Sequence, residues 1–379
     1  MMKWFEEVNR TRPAVICSRV RLVRNLEQYA FPSRLDGKLA EEMIGRLEDG
    51  LKDLGSADGR HYEQARLQEL SDLDRRALRE RRVFNSTIAS GKAPAGVMVS
   101  DDERVGIVLN GTDHIRIQLF ASGLHLDELW TQAGLIDDYL NDVLIMPLMI
   151  SMVTDLIPTS VGTGLRASVV LHLPLLSQSK RFNGMVTEMT RFGASVKGMY
   201  GEGDENCGSL YEVSNQKTLG MTEKEILDMV AKVALQLTAQ EEQMRKLALD
   251  KNRVSREDDA FRAYGTLKYA RRLTIKEAMT LLSRLMAGCA DGLLRMEEPC
   301  AVYRLMLGIQ PANLAEAFCQ TSGKRRAGDG TGCLSAGRAA PSFLGFKTDT
   351  REDPKFLDRQ KSFYRTGLEC HRTVYPDSE

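Results

Sequence analysis

Leu39, Met43, Ile44, Leu47 and Leu51 fall on one face of a 3.6-residue repeat, which predicts a surface helix over residues 37–54. The period then changes to two. Residues 97–99, 105–109 and 114–120 alternate apolar and polar positions around Asp101, Asp102, Gly111 and Asp113, as antiparallel strands joined by tight turns require. In the last of these runs the pleat puts His114, Arg116 and Gln118 on one face and Ile115 and Ile117 on the other. Helical spacing returns over 126–143; a strand is predicted at 166–173, a short helix at 183–192, and strands at 195–200 and 210–214. Thr222 reads as the N-cap of a long amphipathic helix reaching about Asp250.

Strands and helices that alternate with few parallel-crossover signals predict an α+β fold, an antiparallel sheet flanked by helices. Residues 257–317 keep helical spacing throughout and predict a smaller, all-helical C-terminal domain. The expected division is 14–250 for the sheet domain, 251–317 for the helical domain and 318–379 for an atypical tail. That tail is rich in glycine and basic residues and has no periodicity, which on its face predicts disorder.

Composition narrows the class. The 379 residues are 42% hydrophobic and 27% charged, enough to bury a large core. Lysine plus arginine equals aspartate plus glutamate at 52 each, so no global field recruits nucleic acid or membrane and any anion site must be local. The seven cysteines, Cys17, Cys207, Cys289, Cys300, Cys319, Cys333 and Cys370, are scattered without a CxxC pair or a preceding apolar leader, which predicts a cytoplasmic protein. The longest apolar run, 143–153, is broken by Pro147 and Ser151 and is too short to span a bilayer.

Two segments carry the chemistry. Residues 160–168 read SVGTGLRAS and residues 17–25 read CSRVRLVRN, while no GxxxxGK[ST] loop occurs. Glycines that allow close backbone approach beside fixed guanidinium forks suit a polyphosphate, so a nucleotide held by arginines is expected. Gly162 and Gly164 supply the turn, and Arg19 and Arg21, at alternating positions of a strand, point to one side. Arg24 and Arg82 read first as solvated surface groups, with Arg82 retained as a candidate phosphate contact.

Together with DHIRIQ at 113–118 and YGEG at 200–203, these segments resemble the ATP:guanido phosphotransferases, and the length points to the bacterial protein-arginine kinase branch. The resemblance runs over about 14–317 and is strongest over 158–215. It implies ATP and Mg2+ as cofactors. It also implies nucleotide-binding segments at Cys17, Ser18, Arg19, Val20 and Arg21, at His114 and Arg116, at Arg166, Ala167, Ser168, Val169 and Val170, and at Lys197, Gly198, Met199, Tyr200, Gly201 and Glu202. His114, read from the residues alone, is equally a hydrogen-bonded structural group. Glu202 is the carboxylate that the resemblance implies for orienting the attacking guanidinium.

The chain departs from the family pattern where the reaction needs a base. Where relatives have Asn-Glu-Glu-Asp-His, this chain has Asn110, Gly111, Thr112, Asp113 and His114, so a threonine stands at the position of the expected glutamate. Ile157 stands where the family has a cysteine before Pro158 and Thr159, and Lys197 where it has an arginine, which keeps the charge but loses the bidentate fork. Residues 144–155 match nothing in the family. Because methionine has one codon, Met146, Met149 and Met152 constrain the neighbouring reading frame, in which 146–154 can read Tyr-Ala-Phe-Asp-Asp-Lys-Tyr-Gly-Tyr, like the missing segment. The neighbouring frame of 323–326 and 332–337 can likewise encode Glu-Arg-Asp and Val-Ala-Tyr-Leu-Arg, so a local frame slip is expected in both places, with a pseudokinase as the alternative.

The resemblance therefore implies transfer of the ATP γ-phosphoryl group to arginine side chains of proteins, marking them for Clp-type proteolysis in a heat-shock setting. Implied partners are substrate proteins with exposed arginine, a Clp ATPase, a zinc-binding activator and a heat-shock repressor. The alternatives are a small-guanidine kinase, disfavoured because the helical lid domain of those enzymes is lacking, and a nucleotide-binding regulatory module without turnover. Met279, Leu282, Leu285 and Met286 form an apolar stripe that serves either as internal core or as the interface of a homodimer.

Overall fold

The computed structural model describes residues 2–7, 9, 11–91, 93–143, 148–149, 163–200, 206–296 and 302–321, with short strand pieces at 343–345 and 370–371. Nine strands form one sheet: β1 Val15–Leu26, β2 Tyr62–Arg66, β3 Gly96–Ser100, β4 Val105–Leu109, β5 Ile115–Ser122, β6 Leu148–Met149, β7 Leu165–His172, β8 Ala194–Gly198 and β9 Leu210–Asn215. The order is β2-β3-β4-β5-β1-β7-β9-β8, with β6 pairing the end of β1, and the pairs are antiparallel. The helices are α1 Gly37–Leu51, α2 Leu54–Asp58, α3 Asp72–Glu80, α4 Ser86–Ala89, α5 Leu126–Val143, α6 Phe182–Arg191, α7 Glu223–Tyr269, α8 Ile275–Ala290, α9 Val302–Gly308 and α10 Pro311–Thr321. An antiparallel sheet flanked by helices is the architecture the hydrophobic pattern predicts.

The two faces of the sheet differ because side chains alternate along each strand. Val20 and Leu22 on β1, Ile117 and Leu119 on β5, Val169 and Leu171 on β7, and Val213 on β9 all point to the apolar face. There they meet Met43, Ile44 and Leu47 of α1, Leu129, Ala133 and Ile136 of α5, and Ile226, Val230 and Ala234 of α7 in one buried cluster. The opposite face carries Cys17, Arg19 and Arg21 of β1 beside Phe120 and Gln118 of β5 and beside Val170, Ser168 and Arg166 of β7. Among the described residues, helices cover this second face at its ends. Phe120, Cys17, Val170 and Leu210 lie under α8 and α9, whose Met279, Leu282, Leu285 and Met306 close over them, while Val83, Phe84 and Ile88 cover Val97 and Val108 at the other end.

Thr222 caps α7 as the sequence predicts, its hydroxyl accepting from Glu225 N while the Glu225 carboxylate accepts from Thr222 N. The helix runs past the expected stop near Asp250 to Tyr269, but Asn252 inside it is non-helical (φ −152°, ψ 59°). Its first part packs on the sheet core, while Ala260, Phe261 and Tyr264 pack with α8 and α9. The expected boundary at 250/251 thus falls beside a kink rather than in a linker.

One open alternative is decided here, and one expectation is corrected. The stripe Met279, Leu282, Leu285 and Met286 is buried in the chain's own core, at 8% exposure or less, so it supplies no surface for a homodimer. Arg24 is not a solvated surface group. It is 6% exposed and grips Asp137 of α5 with two bonds, Nε to Oδ1 at 2.8 Å and Nη2 to Oδ2 at 2.7 Å. Its Nη1 donates to the carbonyls of Val23 and Thr163, which ties the glycine turn to β1. Gly164 in that turn has φ +67°, and a Cβ there would stand 2.7 Å from the Val23 carbonyl, so only glycine fits. Replacing Arg24 with alanine leaves Asp137 half-buried and unpaired, and urea denaturation should show a loss of about 3 kcal/mol.

Candidate active site

Register fixes where the arginines meet. Arg19 pairs across β1 with Ser168 on β7, Arg21 with Arg166, and Val23 with Arg116 on β5, so Arg19, Arg21, Arg116 and Arg166 share the sheet face opposite the main core. A fifth guanidinium arrives from outside the sheet. Arg82, just after α3, is ion-paired through Nη2 to Glu212 on β9 at 2.9 Å, and Arg19 Nη2 reaches the other oxygen of the same carboxylate at 2.7 Å. Arg19 Nε donates to Ser168 Oγ at 3.2 Å, and Arg166 Nη2 donates to Ser214 Oγ at 3.0 Å. Phe120 flanks the group, with the Arg19 guanidinium carbon 6.0 Å from its ring centre.

Burial and crowding strain this group of like charges. Burial, then Arg116, Arg19 and Arg166 in turn, push Arg21 down to about 9, while Asp113 opposes them. Burial pushes Arg19 down to about 10 against the pull of Glu212, with Arg82 and Arg166 adding to the fall. Burial also acts against ionised Glu212, but Arg19 and Arg82 overcome it and hold the carboxyl far below its ordinary range. Arg82 is shifted upward despite burial, chiefly by Glu212. Arg21 Nε and Arg82 Nη1 are buried N–H groups without a hydrogen-bond partner. Five guanidiniums near one shared carboxylate, two with a donor to spare, fit a ligand with several anionic oxygens, as a triphosphate has.

The structure brings Arg19, Arg21, Arg82, Arg116, Arg166 and Ser168 together, and separates the remaining expected contacts. Ser18, Val20, Ala167 and Val169 occupy the intervening pleat positions, so their side chains face the other way into the core. The Ser18 hydroxyl there donates to the Gly123 carbonyl and accepts from His125 N. Cys17 and Val170 are on the correct face but lie sealed under α8 and α9, and burial pushes the Cys17 thiol up to about 12. These six offer a ligand backbone groups at most.

His114 is held as a structural tie, as its residue-level reading expects. Its Nδ1 accepts from Leu26 N at 2.9 Å, which fixes the proton on Nε2, and Nε2 donates to the Ala30 carbonyl at 2.8 Å. Both ring nitrogens are therefore committed, and burial lowers its pKa, keeping the imidazole neutral. Lys197 is exposed on β8 opposite Glu212, and Gly198 and Met199 follow it, with Met199 N bonded to the Leu210 carbonyl. Tyr200 and Tyr303 of α9 lie within the field of Arg82, and burial pushes the Tyr200 hydroxyl up to about 12. Thr112 Oγ1 accepts from Arg116 Nη2 and donates to Asp113 Oδ2 at 3.0 Å. Ile157, Gly162, Gly201, Glu202, most of 144–155 and nearly all of the tail lie outside the described residues.

Glu212 and Ser214 escaped the sequence reading. The signal was present, since an acidic residue in the strand LYEVSN alternates onto the face shared with Lys197, but only pairing of β9 with β7 shows that this face belongs to the arginines. Because the pKa of Glu212 is depressed in the folded chain, its stabilisation is complete above the unfolded value near 4.5 and is lost as pH falls through the lower folded value. The stability gap between the unmodified chain and Glu212→Gln, measured by chemical denaturation, should therefore hold steady from pH 7 to about pH 5 and shrink as pH drops below 4.5.

Known proteins resemble this chain along most of its length. The model of the ATP:guanido phosphotransferase C-terminal catalytic domain matches residues 42–244, and that of the protein-arginine kinase McsB C-terminal domain matches 253–324. A protein-arginine kinase of Desulforamulus reducens is 39% identical over 318 residues, covering 83% of this chain and 88% of the relative. One from Halothermothrix orenii is 35% identical over 312 residues, covering 82% and 88%. Among solved structures, the substrate-free duplicated taurocyamine kinase from Schistosoma mansoni aligns with TM-score 0.52 at 22% identity, covering 64% of this chain and 36% of that one. A lombricine kinase aligns with TM-score 0.53 at 17% identity, covering 64% and 70%. At such identities these structures speak for the fold alone. With the family's catalytic-domain model laid over more than half of its length and its arginines gathered on one face of the sheet, the chain belongs to the ATP:guanido phosphotransferase family.

Proposed function

We propose that the protein is an ATP-dependent protein-arginine kinase, and the observation that carries this reading is the gathering of Arg19, Arg21, Arg82, Arg116 and Arg166 around Glu212, with donors left over at Arg21 and Arg82. Relatives that match along most of their own length and are named protein-arginine kinases support the substrate class. The N–P bond forms between a guanidino nitrogen and the γ-phosphorus, the bond from that phosphorus to the β–γ bridging oxygen breaks, and the nitrogen loses one proton. Charge spreads over the equatorial phosphoryl oxygens in such a transfer, so fixed guanidiniums that need no rearrangement stabilise it. Glu212 positions Arg19 and Arg82 for that task.

Among the described residues no three His, Cys, Asp or Glu side chains gather as a metal site. Magnesium would enter with the triphosphate, held by its oxygens, and supply further charge neutralisation. Glu202 is the proposed carboxylate that orients the acceptor guanidinium. Thr112 cannot take a proton as a carboxylate would, and its hydroxyl already accepts from Arg116. That engagement favours a second reading, a nucleotide-binding regulatory module with little turnover. Taurocyamine and lombricine kinases share the fold, but nothing in the arginine face selects a small guanidine.

The finer expectations remain proposals. A Clp ATPase, a zinc-binding activator and a heat-shock repressor as partners draw support from the match of 253–324 to the protein-arginine kinase C-terminal domain. A cytoplasmic setting draws support from the scattered cysteines, of which Cys17 and Cys207 are free thiols among the described residues. Among the described residues no helix is long and apolar enough to cross a membrane.

Magnesium ATP should bind the chain whether or not turnover follows, and Arg166→Ala should weaken that binding about tenfold, the value of one charge-assisted hydrogen bond, by titration calorimetry. Label transferred from ATP to a basic protein should be released by mild acid and retained in alkali, as a phosphoramidate is. Thr112→Glu should raise the rate of that labelling by about a hundredfold, because it restores a general base. Acid-stable label, or free guanidines as the sole acceptors, would overturn the assignment.

A further inference from the structure

The chain around Arg82 is held by the C-terminal helices. α3 ends at Glu80, whose carboxylate sits on the first turn of α10, accepting from Ala312 N at 3.0 Å and from Asn313 N at 2.9 Å. A carboxylate at that position satisfies two free N–H groups and meets the positive end of the helix dipole. Arg81, next in sequence, donates through Nε to Asn313 Oδ1 at 2.9 Å and through Nη1 to Glu103 at 3.1 Å, and its Nη2 is ion-paired with Glu316 of α10. Asn313 in turn donates through Nδ2 to the Leu307 carbonyl of α9.

Arg82 follows with φ +70°, a left-handed conformation that a side chain of this size adopts only when its surroundings impose it. Its backbone N donates to the Arg79 carbonyl, and its own carbonyl accepts from Gln118 Nε2 of β5 at 2.8 Å. This turn swings the guanidinium away from α10 and onto Glu212 in the arginine face. Two consecutive residues thus grip the helices, and the third enters the site. The contacts join positions more than 230 residues apart in the chain.

We propose that Glu80 and Arg81 are positioning residues through which α10 holds Arg82 against the nucleotide, so that the seating of the C-terminal helices sets the affinity for ATP. Neither touches the ligand face, and the effect passes through the backbone of Arg82. The identity of the ligand rests on the kinase reading above, while the mechanical link rests on the geometry alone.

The test uses the full chain and two readouts. In Glu80→Gln, amide hydrogen exchange measured by mass spectrometry should speed up over residues 79–85 without nucleotide, and the ATP dissociation constant should rise about threefold to tenfold, with kcat at saturating ATP changing less. Arg82→Ala should lose at least as much affinity, and adding Glu80→Gln to it should cost nothing further, the sign of residues acting as a unit. Glu80→Asp should restore part of the affinity. If Glu80→Gln unfolds the chain, Glu316→Gln, which loosens only the Arg81 contact, should show the same two changes at smaller size. Unchanged exchange over 79–85 in a folded variant, or additive losses in the double variant, would overturn the proposal. An unmodified chain that binds no ATP brings down the kinase reading instead and leaves the exchange result to decide the link.

Discussion

Five guanidinium groups crowd one face of a sheet whose other face is sealed in the core, and the shared carboxylate of Glu212 makes that crowding tolerable. Arg19 and Arg82 each take one of its oxygens, at 2.7 and 2.9 Å, so one anion anchors a cation from the central strand and one from the far side of the fold. The charges are not fully balanced. Arg21 carries the consequence, with burial and then three guanidinium neighbours depressing it and a donor left without a partner. A site in this state is organised before its ligand arrives, and an anion entering it meets fixed dipoles rather than mobile side chains.

The coverings at the two ends of that face define what stays open. Trp4, stacked on Phe120 at 4.9 Å, helps α8 and α9 close the end near Cys17, and the cluster around Val83, Phe84 and Ile88 closes the other. The C-terminal helices are thus part of the wall of the site. The kink at Asn252 lets one helix serve both the sheet core and this wall, since its two parts pack in different apolar clusters.

Thr112 has a visible local role. Its hydroxyl joins Arg116 to Asp113 as a neutral link between a cation and a carboxylate. Among the described residues the face keeps its cations, and at Thr112 it offers a hydroxyl, which cannot take a proton as a carboxylate does. Binding and turnover are separable in such an arrangement, because guanidinium contacts to phosphate do not depend on a group that removes the acceptor's proton.

The sequence by itself determined the strands and helices that have clean periodicity, such as 105–109, 126–143 and the capped start of α7, because alternation and capping are local. It also determined the arginine-bearing segments, since SRVR and GTGLRAS are local in the chain. Which neighbours of those arginines reach the site was decided by the pleat and by what covers each end: Ser18 and Val169 turned inward, and Cys17 and Val170 went under the helices. His114 became structural because folding brought the Leu26 amide and the Ala30 carbonyl to its two nitrogens. Arg24 and Arg82 both read first as surface residues, with only Arg82 kept as a candidate contact; Arg24 locks a turn to α5 and Arg82 enters the site. Their partners, Asp137 and Glu212, lie more than a hundred residues away, and electrostatic pairing over such separations has no period that a one-dimensional pattern can show.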